Sequence, residues 1–184
     1  MGTSAAFFLA RRGVDVTLVE PNAIGAGATN ASFGNIRRTG RFLPQLPLAH
    51  RSRALWGRAK KLLGRDVEFR ATGHLRLIFD AKSHADMRRF AKAAAPWGLT
   101  LEELDAADLR RRFAGLGADA IGASFSAQDG SANPRLIAPA FAAAAARAGA
   151  TILPHTRVGA ITRTPAGFAV QTSGGPLEST VLLN

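Results

Sequence analysis

The first twenty residues constrain the fold most, because they read as a helix that turns directly into a strand. The apolar residues at helical spacing within residues 3–12 are Ala5, Phe8 and Leu9. Gly13 supplies the stop, and the next segment, VDVTLVE (14–20), is rich in the β-branched residues that favour a strand. A helix followed at once by a strand predicts an α/β protein.

Two residues of this segment carry a possible chemistry. Gly2 begins the helix and Glu20 ends the strand, which is the placement of the last glycine and the acid in a dinucleotide-binding β–α–β unit. There the glycine turn and the helix amides meet a pyrophosphate, and the acid accepts hydrogen bonds from a ribose. An ordinary β–α–β pair with an exposed glutamate explains these two residues equally well.

Further helices are predicted over residues 45–63, 83–97, 101–113 and 133–149. The apolar stripe expected to be buried in the first of them consists of Leu48, Leu55, Trp56, Ala59, Leu62 and Leu63. Asn133 is a suitable N-cap for the last, and Pro134 suits its first position. Pro139 is expected to kink this helix or to mark its true start, because proline lacks an N–H.

The remaining segments favour strands. Residues 67–79 read as two short strands around Gly73, and residues 120–130 as another. A strand over 150–153 follows the last helix. Residues 158–179 alternate polar and apolar residues between turns, which predicts an antiparallel meander, and a buried strand, TVLLN, is expected at 180–184.

Composition narrows the function classes. The chain has no cysteine, which excludes disulfides and thiolate metal sites and fits a cytoplasmic location. No apolar run approaches a membrane span, and Arg11 and Arg12 follow too short an apolar stretch for a secretory signal. The net charge of +11 raises nucleic acid or another polyanion as a partner. The arginines are scattered, however, and Arg110–Arg112 read as a solvated helix face.

Three stretches in order resemble FAD-dependent amine and amino-acid oxidoreductases, the family of D-amino-acid oxidase, glycine oxidase, sarcosine oxidase and D-amino-acid dehydrogenase. Residues 19–38, VEPNAIGAGATNASFGNIRR, are similar to the loop that runs beside the flavin. Residues 47–56, PLAHRSRALW, are similar to the following helix. Residues 129–152, beginning DGSANPRLI, resemble a later helix and strand, after which TRVGAI (156–161) looks like the strand beside the adenine.

The resemblance implies a fold and its division. We expect a partial dinucleotide-binding (Rossmann-like) FAD domain over 1–65 and 133–184, with an inserted α+β segment of a substrate domain over 66–132. The family's first strand and first two glycines do not occur in the chain, and neither does the second half of its substrate domain. The resemblance therefore implies truncation at both ends, weak FAD binding, and no oxidase activity of these 184 residues as given.

The resemblance also assigns candidate cofactor residues. Gly2 would face the pyrophosphate, Glu20 would bind the adenosine ribose, and Val158 would present backbone groups to the adenine. The residues expected near the flavin phosphates are Gly25, Gly27, Ala28 and Thr29, and those expected nearer the isoalloxazine are Ser32, Gly34 and Asn35. A flexible loop is the alternative for both groups, and a plain meander strand is the alternative for Val158.

Catalytic residues are less defined. Arg37, Arg38 and Arg41 are candidates for a cation that stabilises reduced flavin, with surface arginines as the alternative. Arg76 could pair with a substrate carboxylate, although an outward-facing strand arginine is the more economical reading. The four histidines share no metal-ligand spacing.

The resemblance thus implies part of an FAD-dependent oxidoreductase that oxidises a C–N bond of a small amino acid or amine by hydride transfer to flavin. Neither the substrate nor the electron acceptor can be named from these residues. The alternative is a basic α/β module that binds nucleic acid or another polyanion.

Overall fold

The computed structural model describes every residue from Met1 to Asn184. The helices are α1 (Gly2–Ala10), α2 (Leu46–Gly57), α3 (Ala59–Leu63), α4 (Ala81–Ala94), α5 (Ala106–Arg112) and α6 (Pro134–Arg147). The strands are β1 (Thr17–Val19), β2 (Asn35–Ile36), β3 (His74–Ile78), β4 (Glu102–Asp105), β5 (Gly122–Ser126), β6 (Gly130–Ser131), β7 (Thr151–Leu153), β8 (Val158–Thr164), β9 (Gly167–Thr172) and β10 (Gly175–Ser179). The mixture of helices and sheets confirms the predicted α/β class.

The chain forms two compact units that are both discontinuous in sequence. The first contains residues 1–33, 60–67 and 133–184, and the second contains residues 34–59 and 68–132. Residues 34–59 therefore pack with the inserted segment rather than with the start of the chain. The functional domain bounds stated above stay a prediction.

The first unit contains a short parallel pair of strands. β1 pairs with β7 in the register Thr17↔Thr151, so the segments predicted as strands at residues 14–20 and 150–153 lie in one sheet. Helices α1 and α6 pack together, with the rings of Phe7 and Phe141 5.7 Å apart. The buried face of α1 is Ala6, Phe7 and Ala10, whereas the expected Ala5, Phe8 and Leu9 are only half-buried. This helix is apolar on nearly all sides, so periodicity alone could not select its buried face.

Two details of α6 bear on the predictions. The side chain of Asn133 caps its N-terminus, accepting from the Arg135 amide at 3.0 Å. The helix begins at Pro134 and continues through Pro139, so Pro139 does not mark its start. The buried residues of this helix are five alanines (Ala138, Ala140, Ala142, Ala144 and Ala145). We attribute the continuity to this packing, which offsets the one backbone hydrogen bond that a proline cannot donate.

Strands β8, β9 and β10 form the predicted antiparallel meander. The expected buried strand at 180–184 is wrong, because residues 181–184 have no regular structure and Val181 is 69% exposed. The apolar run TVLLN has no neighbouring strand to pair with here, and β-branched composition alone does not make a strand.

The second unit is built on the antiparallel sheet β3–β5–β4. The helix predicted over 101–113 is wrong in its first half, since residues 102–105 form β4. Leu104 is buried and pairs with Ala123 of β5. Asp105 then caps α5, accepting from the Asp108 amide at 2.7 Å. The helix propensity of the glutamates and leucines at 101–104 is weaker than the effect of pairing with β5.

The two faces of this sheet differ in chemistry. One face is apolar and packs on Leu109 of α5; it carries Leu75, Leu77, Leu104, Ala123 and Phe125. Because side chains alternate along a strand, the other face carries the polar residues His74, Arg76, Glu103, Ser124 and Ser126. The polar face is the one relevant to a site.

The helix predicted over 45–63 is divided. It ends at Gly57, Arg58 adopts a non-helical conformation, and α3 follows. Leu48 is 71% exposed, whereas Leu46, which was not in the predicted stripe, is fully buried beside Ala94 and Leu99. Because the helix ends at Gly57, one continuous helical pattern does not describe both parts.

Glu103 on the polar face of the sheet makes a testable contribution to stability. Its carboxylate accepts from Arg88 Nη2 and His84 Nε2, both at 2.6 Å. These two hydrogen bonds, Arg88 first, lower the pKa of Glu103 from 4.5 to about 2. A lowered pKa stabilises the fold above pH 4.5, and this contribution is lost as the pH falls towards 2.

We expect Glu103→Gln to lower the free energy of unfolding at pH 7 by at most about 1 kcal/mol, since the pair is exposed to solvent. Urea titrations across pH 2–7 should show the difference from wild type shrinking between pH 4.5 and 2. Arg88→Gln serves as the matched variant from the other side of the pair. A difference that did not change with pH would contradict this assignment.

Candidate functional site

The start of α1 and the end of β1 lie at the same edge of the first unit. A Cβ built on Gly2 would lie 3.4 Å from Leu18 Cδ1, so helix and strand approach closely there. At the opposite end, the Val14 amide donates to the Leu9 carbonyl at 3.2 Å. The helix thus runs antiparallel to the strand, and its N-terminal amides lie beside the carboxyl end of β1.

Glu20 stands at that carboxyl end. Its amide donates to the Leu153 carbonyl at 3.0 Å, which extends the β1–β7 pairing by one residue. Its Oε1 accepts from the Asn22 amide at 2.9 Å, and the side chain is only half-buried. A carboxylate has about four acceptor positions, so this bond leaves capacity for further donors. Glu20 is therefore held in place while its carboxylate remains accessible.

The turn between β7 and β8 is bonded to the same place. The Thr156 amide donates to the Glu20 carbonyl at 2.9 Å, and the His155 amide donates to the Asn22 carbonyl at 3.1 Å. Two residues later Val158 begins β8, 40% exposed. The structure therefore brings Gly2, Glu20 and the segment leading to Val158 to one edge of the first unit.

The loop after Glu20 consists of consecutive turns, closed by bonds from Ala26 to Ala23, from Asn30 to Gly27 and from Ser32 to Thr29. Gly25 has a φ of +87°, and a Cβ there would lie 3.0 Å from Ala138 Cβ of α6. The positive φ and the close packing against Ala138 therefore explain why residue 25 is a glycine. Gly27 has open space on its Cβ side, and Ala28 beside it is exposed. The backbone of Gly27 and Ala28 is therefore open to the approach of another molecule.

Gly34 and Asn35 belong to the second unit and have structural partners. The Gly34 carbonyl accepts from the Ala132 amide at 3.0 Å, and Asn35 pairs with Ser131 where β2 meets β6. Ser32 and Thr29 lie in the preceding loop of the first unit. The structure therefore divides the residues expected near the flavin ring between the two units.

Arg38, one of the three candidate catalytic arginines, forms a buried ion pair with Asp129. Arg38 Nε lies 2.8 Å from Asp129 Oδ1, and the two side chains are 8% and 0% exposed. Asp129 Oδ2 also accepts from the Arg38 amide at 2.9 Å and the Thr39 hydroxyl at 3.2 Å. Burial alone would raise the pKa of Asp129, but these hydrogen bonds and the Arg38 charge lower it overall.

The rest of the Arg38 guanidinium is also bonded. Its Nη1 donates to Gln128 Oε1 and to His50 Nδ1, each at 3.2 Å. His50 Nε2 in turn donates to the Trp97 carbonyl at 2.8 Å, because a carbonyl oxygen can only accept. This network joins β2, α2 and the β5–β6 turn, so Arg38 acts within the protein rather than presenting its charge to solvent.

Arg37 lies differently, in a cleft of about 340 Å³ lined by Arg37, Thr39, Gly40, His74 and Arg76. Arg37 Nη1 donates to the Thr39 carbonyl. Arg41 is exposed, and its Nε donates to the Arg37 carbonyl at 3.0 Å. Arg37 and Arg76 are thus the two candidate cations that face a common cavity.

Asp129 is the residue that the sequence analysis overlooked. Asp129 is the first residue of the stretch DGSANP, which resembles a segment of the oxidoreductase family. The sequence analysis assigned no role to its carboxylate. The signal available was an acid directly before a glycine and a buried strand pair. Its partner Arg38 lies 91 residues away, so the pairing was not readable from local sequence.

No cluster of three or more potential metal-ligating side chains occurs in the structure. No helix has the length and apolar character needed to cross a membrane.

Comparisons with known proteins give one consistent family. The family model "DAO: FAD dependent oxidoreductase" matches residues 1–183. A glycine oxidase of Geobacillus kaustophilus (strain HTA426) is 29% identical over 95% of this chain and 48% of its own length. The chain therefore spans about half the length of this relative.

Solved structures agree. The crystal structure of glycine oxidase from Geobacillus kaustophilus has a TM-score of 0.91 at 27% identity, over 97% of this chain and 50% of that one. L-Proline dehydrogenase from P. horikoshii has a TM-score of 0.89 at 26% identity, over 97% and 48%. The predicted resemblance and the partial nature of the match are both confirmed.

Proposed function

Since this chain belongs to the family of FAD-dependent oxidoreductases, we propose that its first unit binds the ADP portion of FAD. The parent activity would be oxidation of a C–N bond of a small amino acid or amine. The names of its relatives, a glycine oxidase and an L-proline dehydrogenase, support this reaction class.

One observation carries the proposal: the N-terminal amides of α1 and the Glu20 carboxylate occupy the same edge of the first unit. Helix N-terminal amides favour a negatively charged group such as a pyrophosphate. An accessible carboxylate at the end of the neighbouring strand accepts hydrogen bonds from ribose hydroxyls. A pyrophosphate and a ribose are adjacent in ADP, so the two elements match one ligand.

Other residues have subsidiary proposed roles. Gly2 begins α1 beside Leu18 of β1, and its backbone amide would face the pyrophosphate. Gly25 fixes the loop on α6, and Gly27, Ala28 and Thr29 offer backbone and a hydroxyl to the phosphates. Val158 would flank the adenine. Ser32, Gly34 and Asn35 stay predicted neighbours of the flavin ring.

When bound, the flavin supplies the hydride acceptor, which the protein's own side chains cannot provide. The protein's part is to hold the cofactor and place charge beside it. Arg38 is committed to Asp129, so we assign it a positioning role for the β2 region. Arg37 and Arg41 remain the candidates for a cation near reduced flavin.

The proposal is tested by replacing Glu20. Hydrogen bonds to a charged group contribute about 1.5–3 kcal/mol, so Glu20→Gln is expected to weaken FAD binding roughly ten- to a hundredfold. FAD fluorescence titrations of the 184-residue chain measure this, carried to millimolar concentrations. ADP should compete with FAD and riboflavin should not, because the proposed contacts address only the ADP portion.

Glu178→Gln is the matched control, since it removes the same charge from exposed β10 of the same unit. It should leave the FAD dissociation constant unchanged. Equal affinities of wild type and Glu20→Gln, or competition by riboflavin alone, would remove Glu20 from the site.

Polyanion binding, the alternative function, has less support. In the Arg110–Arg112 segment, Arg111 pairs with Asp108 and Arg112 pairs with Glu102. Their charges are partly offset within the protein. A steep salt dependence of binding to random DNA would favour this alternative. The electron acceptor is not identified, and a cytoplasmic location stays a prediction.

A further inference from the structure

Helix α2 turns polar side chains towards the second unit and an apolar one towards solvent. Beside the buried Leu46, the His50 imidazole accepts at Nδ1 from Arg38 Nη1 at 3.2 Å. Arg53 is also turned inward, where its Nε donates to a backbone carbonyl of the β5–β6 turn. Leu48, by contrast, is 71% exposed. A surface helix normally buries its apolar residues and exposes its polar ones, so the outward position of Leu48 asks for a partner.

The outer face of α2 combines this leucine with a cation. Leu48, Arg51 and Ser52 are all exposed, and their spacing of three and four residues places them on one side of the helix. In the segment that leads into the helix, Arg41 is exposed and the Phe42 side chain is 70% exposed. The exposed side chains of Arg41, Phe42, Leu48 and Arg51 form what we call the α2 surface.

The α2 surface lies in a stretch without acidic residues. Residues 34–59 contain six arginines and neither aspartate nor glutamate. Arginines elsewhere in the second unit are paired with carboxylates, namely Arg88, Arg89, Arg111 and Arg112. Arg38 is paired with Asp129, whereas Arg41 and Arg51 are exposed to solvent. The α2 surface is therefore positive as well as partly apolar, which favours an anionic partner.

We propose that the α2 surface docks the protein on a membrane surface that carries anionic phospholipids. Phe42 and Leu48 would enter the boundary between headgroups and acyl chains, and Arg41 and Arg51 would lie among the lipid phosphates. Buried apolar area and cations together are what bind interfacial protein segments to anionic membranes. Nucleic acid fits less well, because contacts to its phosphates use the arginines and leave the exposed leucine without a role.

Co-sedimentation with lipid vesicles tests this proposal. The 184-residue chain should bind vesicles of equal parts phosphatidylglycerol and phosphatidylcholine, and bind pure phosphatidylcholine vesicles much more weakly. Arg51→Gln should weaken binding about fivefold, because each cation near the surface contributes. Leu48→Ser should weaken it about tenfold, because the burial of the leucine is lost. Both side chains are exposed, so the variants are expected to fold, which circular dichroism checks.

Two matched variants serve as controls. Leu183→Ser changes the same residue type at nearly the same exposure, 72%, but in the first unit. Arg110→Gln removes the same charge from an exposed position of α5. Both should bind vesicles as wild type does. Glu20→Gln, which tests the proposed function, should also bind vesicles as wild type does, so either proposal can fail without the other.

Three outcomes would overturn the docking proposal. Equal binding to neutral and anionic vesicles, or to neither, would remove the role of the cations. Equal weakening by Leu48→Ser and Leu183→Ser would show that the α2 surface is not a specific docking site. Displacement of the vesicles by random duplex DNA, with DNA binding weakened by Arg51→Gln but not by Leu48→Ser, would assign the surface to nucleic acid instead.

Discussion

Gly130→Ala is expected to lower the free energy of unfolding of the second unit by at least about 3 kcal/mol. A Cβ at this position would overlap the carbonyl oxygen of Arg70 and lie 2.9 Å from its carbon and 3.0 Å from Ala71 Cα. All three atoms are backbone and cannot rotate away. The Arg70–Ser131 bridge, with N···O distances of 2.8 and 3.0 Å, would have to break or shift.

Urea unfolding followed by circular dichroism measures this effect. Gly117→Ala is the matched control, because a Cβ there meets nothing within 4 Å. Its free energy of unfolding should stay within about 0.5 kcal/mol of wild type or rise slightly. Equal midpoints for the two variants would show that the chain relaxes around a side chain at residue 130.

Asp129→Ala is expected to cost about 3–5 kcal/mol, because it leaves the Arg38 guanidinium buried without a counter-charge. The same change removes the acceptor of the Arg38 and Thr39 amides. Asp129→Asn should cost less, since an amide oxygen can still accept two of these bonds. The control is Asp119→Asn, an exposed loop position expected to change stability by less than about 0.5 kcal/mol.

The stabilisation by Asp129 is expected to decrease at low pH. The pKa of Asp129 in the folded chain is lowered below its ordinary 3.8, despite the opposing effect of burial. The stabilisation is therefore complete above pH 3.8 and is lost as the pH falls through the lower folded value. Urea titrations should show the gap between wild type and Asp129→Ala narrowing only below pH 4. A gap that was constant down to pH 2 would argue against an ionised Asp129.

The sequence predicts those features that short segments determine. The α1–β1 step, the Asn133 cap and the meander follow from spacing, capping residues and turn glycines. β4 was missed because Glu102, Glu103 and Leu104 favour a helix by themselves and become a strand only beside β5. Leu48 was misassigned because the predicted stripe treated residues 45–63 as one helix, whereas α2 ends at Gly57 and buries Leu46 instead.

The candidate site divides in the same way. Glu20 was proposed from its position at a strand end, and the structure adds the hydrogen bond from the Thr156 amide to its carbonyl. The Arg38–Asp129 pair and the convergence of Arg37 with Arg76 depend on contacts between residues far apart in the chain. Local sequence describes an arginine, and only the folded chain distinguishes a structural cation from one that faces a cavity.

The pairing of β1 with β7 has a consequence for synthesis on the ribosome. Thr17 and Thr151 lie roughly 130 residues apart, and the whole second unit is translated between them. At about 5–20 residues per second, the first strand waits on the order of ten seconds for its partner. The second unit is complete before β7 is made, so it can fold while α1 and β1 are still unpaired. Until α6 and β7 are made, α1 lacks the helix it packs on and β1 lacks its partner on that side, so this segment exposes the kind of apolar surface that chaperones bind.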